Sequence, residues 1–101
     1  MTDRTVAPGN VTEKAFQAQI LDLMRLRGWR TFHVYDSRRS NRGFPDLVCV
    51  RGPRLLFAEL KTTRGRLTSD QLGWLQALSV TGAETYLWRP EHWPDIAKVL
   101  S

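Results

Sequence analysis

A chain of 101 residues, 42% hydrophobic and 25% charged, is sized for one domain with one core, which excludes a disordered or fibrous polypeptide. Fifteen Lys and Arg against ten Asp and Glu give a formal charge of +5 and a sequence pI near 10.1. That excess favours a polyanionic partner, nucleic acid before an anionic membrane surface.

Residues 1–9, "MTDRTVAPG", are polar with Pro and Gly and read as a flexible tail ahead of a single domain over residues 10–101. In "NVTEKAFQAQILDLMRLRG" the positions Phe16, Ile20, Leu23, Met24 and Arg27 follow the i, i+4, i+7, i+8, i+11 spacing of a helix, and Gly28 supplies a stop. "WRTFHVY" has the β-branched and aromatic content of a strand. The loop "DSRRSNRG" carries Arg38, Arg39 and Arg42. "GFPDLVCVRGPRLLFAELKT" reads as two apolar strands joined at Gly52-Pro53, and a second basic loop with Arg64 and Arg66 follows. A helix over "SDQLGWLQALSVTG", a strand over "AETYLWR" and a short helix over "PEHWPDIAKVLS" close the chain. The order α-β-β-β-α-β-α predicts an α/β fold, a mixed central sheet flanked by helices. The lone Cys49, inside "LVCV", excludes an intrachain disulfide and reads as a small buried hydrophobe. No apolar run approaches the roughly 18 residues of a membrane span, and no signal-peptide core is evident, so a cytoplasmic location and no membrane partner are expected.

Charges at one end of an apolar hairpin need a reason. Side chains alternate faces along a strand, so Asp46 shares a face with Val48 and Val50, and Glu59 and Lys61 share one with Leu55 and Phe57. A turn centred on Gly52-Pro53 puts Val50 opposite Leu55, Val48 opposite Phe57 and Asp46 opposite Glu59. Proline is disfavoured at the second central position of a type I turn, so a longer or bulged loop is the competing arrangement, and a slip of one residue would send one carboxylate to the other face. Carboxylates side by side repel. Lys61, a shared proton or a bound cation can offset that repulsion, and oxygen ligands suit a hard ion such as Mg²⁺. The competing account is an exposed Asp at a strand start and a surface Glu–Lys pair.

The Pro45-Asp46 and Glu59-Leu60-Lys61 pattern resembles the PD-(D/E)XK nuclease signature. With "TEKAFQAQILDLMRLRGW", "GFPDLVCVR", "FAELKTTRGRLTSDQLGWLQAL" and "GAETYLWRP", the resemblance extends to the virus-type replication-repair nuclease (VRR-Nuc) family, from about Thr12 to Pro90. It implies a restriction-endonuclease-like α-β-β-β-α-β core. It also implies a DNA endonuclease dependent on Mg²⁺ or Mn²⁺, with no organic cofactor. By resemblance, Asp46, Glu59 and Glu13 bind the metal with the Leu60 main-chain carbonyl, and Lys61 helps activate water.

Glu13 has a second reading, completing a capping box with Asn10 as N-cap, and both roles can hold at once. Gln71, the place of a family glutamine near the site, likewise completes a box with Thr68. His33 reads as structural or as an accessory site residue, and His92 carries no functional argument. The arginines Arg38, Arg39, Arg42, Arg64 and Arg66 fall in loops at the acidic end, placed for phosphate contacts. Stand-alone members of the family resemble junction-resolving enzymes, so a homodimer acting on four-way or other branched DNA is expected, in a bacterium or a phage-infected host. A non-catalytic DNA-binding or assembly domain is one rival, and the same chemistry on RNA or on specific duplex sequences is the other.

Overall fold

In the computed structural model, residues 8–34 and 42–101 are described. Helix α1 (Glu13–Leu26) begins at Thr12, whose hydroxyl accepts from the Ala15 N–H at 3.1 Å. Asn10, the expected cap, instead ends a 3-10 turn, Pro8–Asn10. The Asn10–Glu13 capping box therefore does not form: Glu13 is the first helical residue, and the extended backbone of Thr12 brings its own hydroxyl to the orphan donor. Pro8 and Gly9, expected in the tail, belong to this turn, and the Pro8 carbonyl also accepts from the Thr63 hydroxyl.

Four strands follow the predicted order: β1 (Arg30–His33), β2 (Leu47–Arg51), β3 (Arg54–Leu60) and β4 (Glu84–Trp88). They lie side by side as β1-β2-β3-β4, the first three antiparallel and β4 parallel to β3. A parallel neighbour requires a crossover, which α2 (Ser69–Ser79) provides. The chain ends in α3 (Trp93–Leu100) after a 3-10 turn, Pro90–His92.

One face of the sheet carries the core. Leu47 and Cys49 of β2, Leu56, Ala58 and Leu60 of β3, and Trp88 of β4 pack with Phe16, Ile20 and Met24 of α1 and with Ile96 and Leu100 of α3. Burial pushes the Cys49 thiol up to about 12, so it stays a thiol, with Sγ 3.5 Å from Met24 Sδ, as a buried hydrophobe should. The other face is covered only in part, where Phe44 bridges Phe57 of β3 and Trp74 of α2 edge-on, with ring centroids 6.0 and 5.0 Å apart. Away from α2, Phe32 stays 66% exposed, Val50 41% and Leu55 42%.

The hairpin turn is tight. Arg51 pairs with Arg54, leaving Gly52-Pro53 alone between the strands, with Gly52 at φ +58°. A glycine at positive φ followed by a proline locked near −65° has the sign pattern of a type II′ turn, so the restriction on proline in type I turns does not apply. The two arginines beside the turn are structural. Arg51 donates to the carbonyls of Arg27, Leu100 and Ser101, and Arg54 to that of Val99, closing the C-terminal ends of α1 and α3. Both guanidinium groups lie over the Trp29 ring, 4.7 and 4.8 Å from its centroid.

Candidate active site

The register carries Asp46 and Glu59 to one place. Val50 lies opposite Leu55 and Val48 opposite Phe57, so continuing the ladder puts Asp46 across from Glu59 on the α2 side of the sheet. Pro45 is fully buried and holds the start of β2, while Asp46 Oδ2 accepts from the Leu60 N–H at 2.8 Å and so locks the two strands at this end. Glu59 is 2% exposed and is the single charged residue among the described residues that is buried. Its Oε2 accepts from Gln71 Nε2 at 3.0 Å and lies 3.9 Å from the Lys61 ammonium. Its Oε1 is buried with no hydrogen-bond partner among the described residues.

A carboxyl in that setting resists ionisation. Burial is the largest cause and the neighbouring Asp46 charge the next, against which Lys61 pulls downward, and the Glu59 pKa is pushed up to about 8. Lys61 supplies one counter-charge and a proton shared with Asp46 another relief, and a divalent cation would satisfy both the orphaned buried oxygen and the repelling pair. Asp46 and Glu59 fit such an ion, since Mg²⁺ commonly uses one or two carboxylates and keeps several waters. Among the described residues no third His, Cys, Asp or Glu completes a metal-holding group with them. Glu13 is exposed at the start of α1, and its charge reaches Glu59 as the weakest of the upward influences.

Gln71 holds both of its expected roles. Its backbone N–H donates to the Thr68 hydroxyl at 3.1 Å and its side-chain oxygen accepts from the Thr68 N–H at 2.9 Å, while its amide nitrogen serves Glu59. One residue thus starts α2 and fixes the carboxylate. His33 lies opposite Leu47 in β1, on the α1 side of the sheet, with the Gln17 amide 2.9 Å from its Nδ1. It is not on the face that Asp46 and Glu59 share.

Arg64 and Arg66 are exposed on the loop that leaves Lys61, and Arg42 is exposed just before "GFPD". Arg38 and Arg39 lie outside the described residues. Two anchors of the site have no local mark in the sequence. Arg89, following β4, donates to the carbonyls of Thr62 and Gly65, both at 2.7 Å, and so fixes the basic loop beside Lys61. Gly43 passes so close to α2 that a Cβ there would stand 2.5 Å from the Asp70 carbonyl carbon, which fixes the Pro45-Asp46 segment against the helix that carries Gln71.

A mixed four-stranded sheet with helices on both sides, its adjacent strands bringing Pro-Asp and Glu-x-Lys together at one end, is a restriction-endonuclease-like fold. The VRR-NUC domain family matches residues 2–89, and the chain belongs to that family. Among solved structures, a VRR_NUC domain superposes with a TM-score of 0.62 over 74% of this chain and 81% of that one, at 23% identity. Hjc of Archaeoglobus fulgidus, a Holliday junction resolvase from an archaeal hyperthermophile, superposes with a TM-score of 0.56 at 26% identity over 71% of this chain. The present chain spans 62% of that protein's length. No curated protein sequence matches.

Proposed function

We propose that this domain is an endonuclease that hydrolyses phosphodiester bonds of branched DNA, four-way junctions among them, with a divalent metal, Mg²⁺ or Mn²⁺, and that it works as a homodimer. The observation that carries the reading is Glu59: a buried carboxylate facing Asp46, with one oxygen held by Gln71 and the other without a partner among the described residues. Asp46, Glu59 and the Leu60 carbonyl would hold the metal, with Glu13 approaching from the start of α1. When bound, the metal supplies charge for the phosphoryl oxygens and a lowered pKa for water. Lys61 has a single salt-bridge partner among the described residues, Glu59, and from there its ammonium orients the attacking water and screens the negative charge that builds on the phosphate. Arg42, Arg64 and Arg66 bind flanking phosphates by charge, which positions the strand without reading sequence.

The branched substrate is supported by the likeness to Hjc, itself a junction resolvase, and the dimer by the apolar sheet face that α2 leaves open. The test is a cleavage panel of linear duplex, flap, single strand, four-way junction and RNA, each with Mg²⁺, Mn²⁺ or EDTA. Cutting is expected on branched DNA with metal. Asp46→Ala and Lys61→Ala should each lower it by at least about 10²-fold while leaving DNA binding largely intact. Pure protein that binds DNA yet cuts none of these would make it a non-catalytic binding domain. Preferential cutting of RNA or of one duplex sequence would move the substrate.

A further inference from the structure

Beside the acid pair, the outer side of α2 bounds an open cleft of about 360 Å³ lined by Arg42, Ser69, Asp70, Gly73, Trp74 and Ala77. The helical lining falls at i, i+3, i+4 and i+7 from Asp70, one continuous stripe of the helix. Apart from the packing of Trp74 on Phe44, the residues of this helical stripe have no part in the chemistry above. Gly73 sits in mid-helix, where glycine is unfavourable relative to alanine, yet a Cβ there would meet nothing within 4 Å. Internal packing therefore does not require it, and the space beside it is open, so that only a bulky side chain at this position would fill the cleft. Trp74 meets Phe44 edge-on and also lines the cleft. The polar lining is mixed, a guanidinium, a hydroxyl and a carboxylate. A bare phosphate would be repelled by Asp70, whereas a nucleobase presents donors, acceptors and a π-face together.

Position supplies the rest. Asp70 in the cleft and Gln71 on Glu59 are consecutive residues, so the cleft opens within one helical turn of the acid pair. We propose that this cleft receives an unpaired nucleobase from the nucleotide beside the scissile bond, stacked on Trp74 and hydrogen-bonded by Asp70, Ser69 and Arg42. Bases inside a duplex cannot enter it. An unpaired base at a branch, as at a flap, can, and a paired base at a four-way junction can once its pair opens at the branch, so the cleft selects branched over linear DNA. This rests on the nuclease reading and adds to it the group that recognises the branch.

The test places 2-aminopurine at the unpaired position of a branched DNA and follows its fluorescence on binding in EDTA, so that no cleavage is needed. Stacking on Trp74 should quench the probe. Gly73→Leu, which fills the cleft from an exposed helix position, should abolish the quench and cut the preference for branched over linear DNA about tenfold. Gly73→Ala, whose methyl meets nothing, should keep both, and matching circular dichroism spectra show that the variants fold. A wild-type complex without quenching, or the same quench and preference in Gly73→Leu, overturns the cleft as a base site. Quenching that persists in a wild-type protein unable to cut any substrate with Mg²⁺ or Mn²⁺ would instead overturn the nuclease reading and leave the base site standing.

Discussion

Glu59 is the residue on which folding and chemistry pull in opposite directions. A carboxyl whose folded pKa is raised from 4.5 to about 8 holds a proton in the native state that the unfolded chain has released. In the metal-free protein its contribution is therefore fully present below about pH 4.5 and is lost as pH rises through about 8, when the buried carboxylate must ionise. Thermal melts in EDTA should show stability falling between pH 5 and 8 by on the order of a few kcal/mol more in the wild type than in Glu59→Gln. Mg²⁺ at pH 8 should restore the wild type by about 2–3 kcal/mol at a hundredfold excess over its Kd, and should do much less for Glu59→Gln. Equal pH slopes in the two proteins would mean that Glu59 does not carry the strain. The same residue shows why the acidic cluster was legible in sequence: a period of two and a two-residue turn suffice to place Asp46 opposite Glu59. Glu13 was less so, because its place depends on where α1 starts. Thr12 and Asn10 are both good caps, and only the 3-10 turn at Pro8–Asn10 decides between them.

At the scale of elements, strong local periodicity made α1, the hairpin and the chain order readable, whereas the docking of α2 on the sheet was not. Among its described residues α2 buries none completely, and it is held by Gln71 on Glu59, by Trp74 on Phe44 and by the close passage of Gly43. Each of these joins residues distant in sequence, as does the Arg89 anchor of the basic loop, and no short window announces them. Gly43 gives the sharpest test. It has φ +87°, and an added Cβ would clash with the Asp70 backbone, which cannot swing aside as a side chain would. Gly28 is a control, with φ +81° and nothing within 4 Å of an added Cβ. Gly28→Ala should cost about 1 kcal/mol, the conformational term alone. Gly43→Ala should cost about 2–4 kcal/mol, because overpacking adds to that term, and should lower cleavage by displacing Asp46 from Glu59. Urea unfolding of both variants measures the difference, and equal losses would show that the approach to Asp70 is not tight.

For the whole molecule, the proposed activity raises the question of how a domain this small would engage two strands. The sheet has two edges. β1 is four residues long and carries exposed Arg30, features that disfavour pairing along that edge. The open face is different: Phe32, Val48, Val50 and Leu55 lie on the same side of the sheet as the acid pair, and three of them are more than 40% exposed. An apolar patch of this kind is the surface on which the proposed dimer would form. Leu55 and Glu59 are four residues apart on β3, about 13 Å at the usual strand rise. A two-fold axis through the patch would therefore hold the two acid ends well apart on either side of it, each facing its own strand. Two copies packed this way need to bury roughly 800 Å² each for a stable dimer. Sedimentation at micromolar concentration should give a dimer for the wild type. It should give a monomer for Leu55→Lys and Phe32→Lys, because each buries an unpaired charge at the centre of the contact. Those substitutions leave Asp46, Glu59 and Lys61 in place, so the monomers should still nick branched DNA while losing the paired incision by tenfold or more. A wild-type monomer that resolves four-way junctions, or a Leu55→Lys protein that stays dimeric, would remove this face from the assembly.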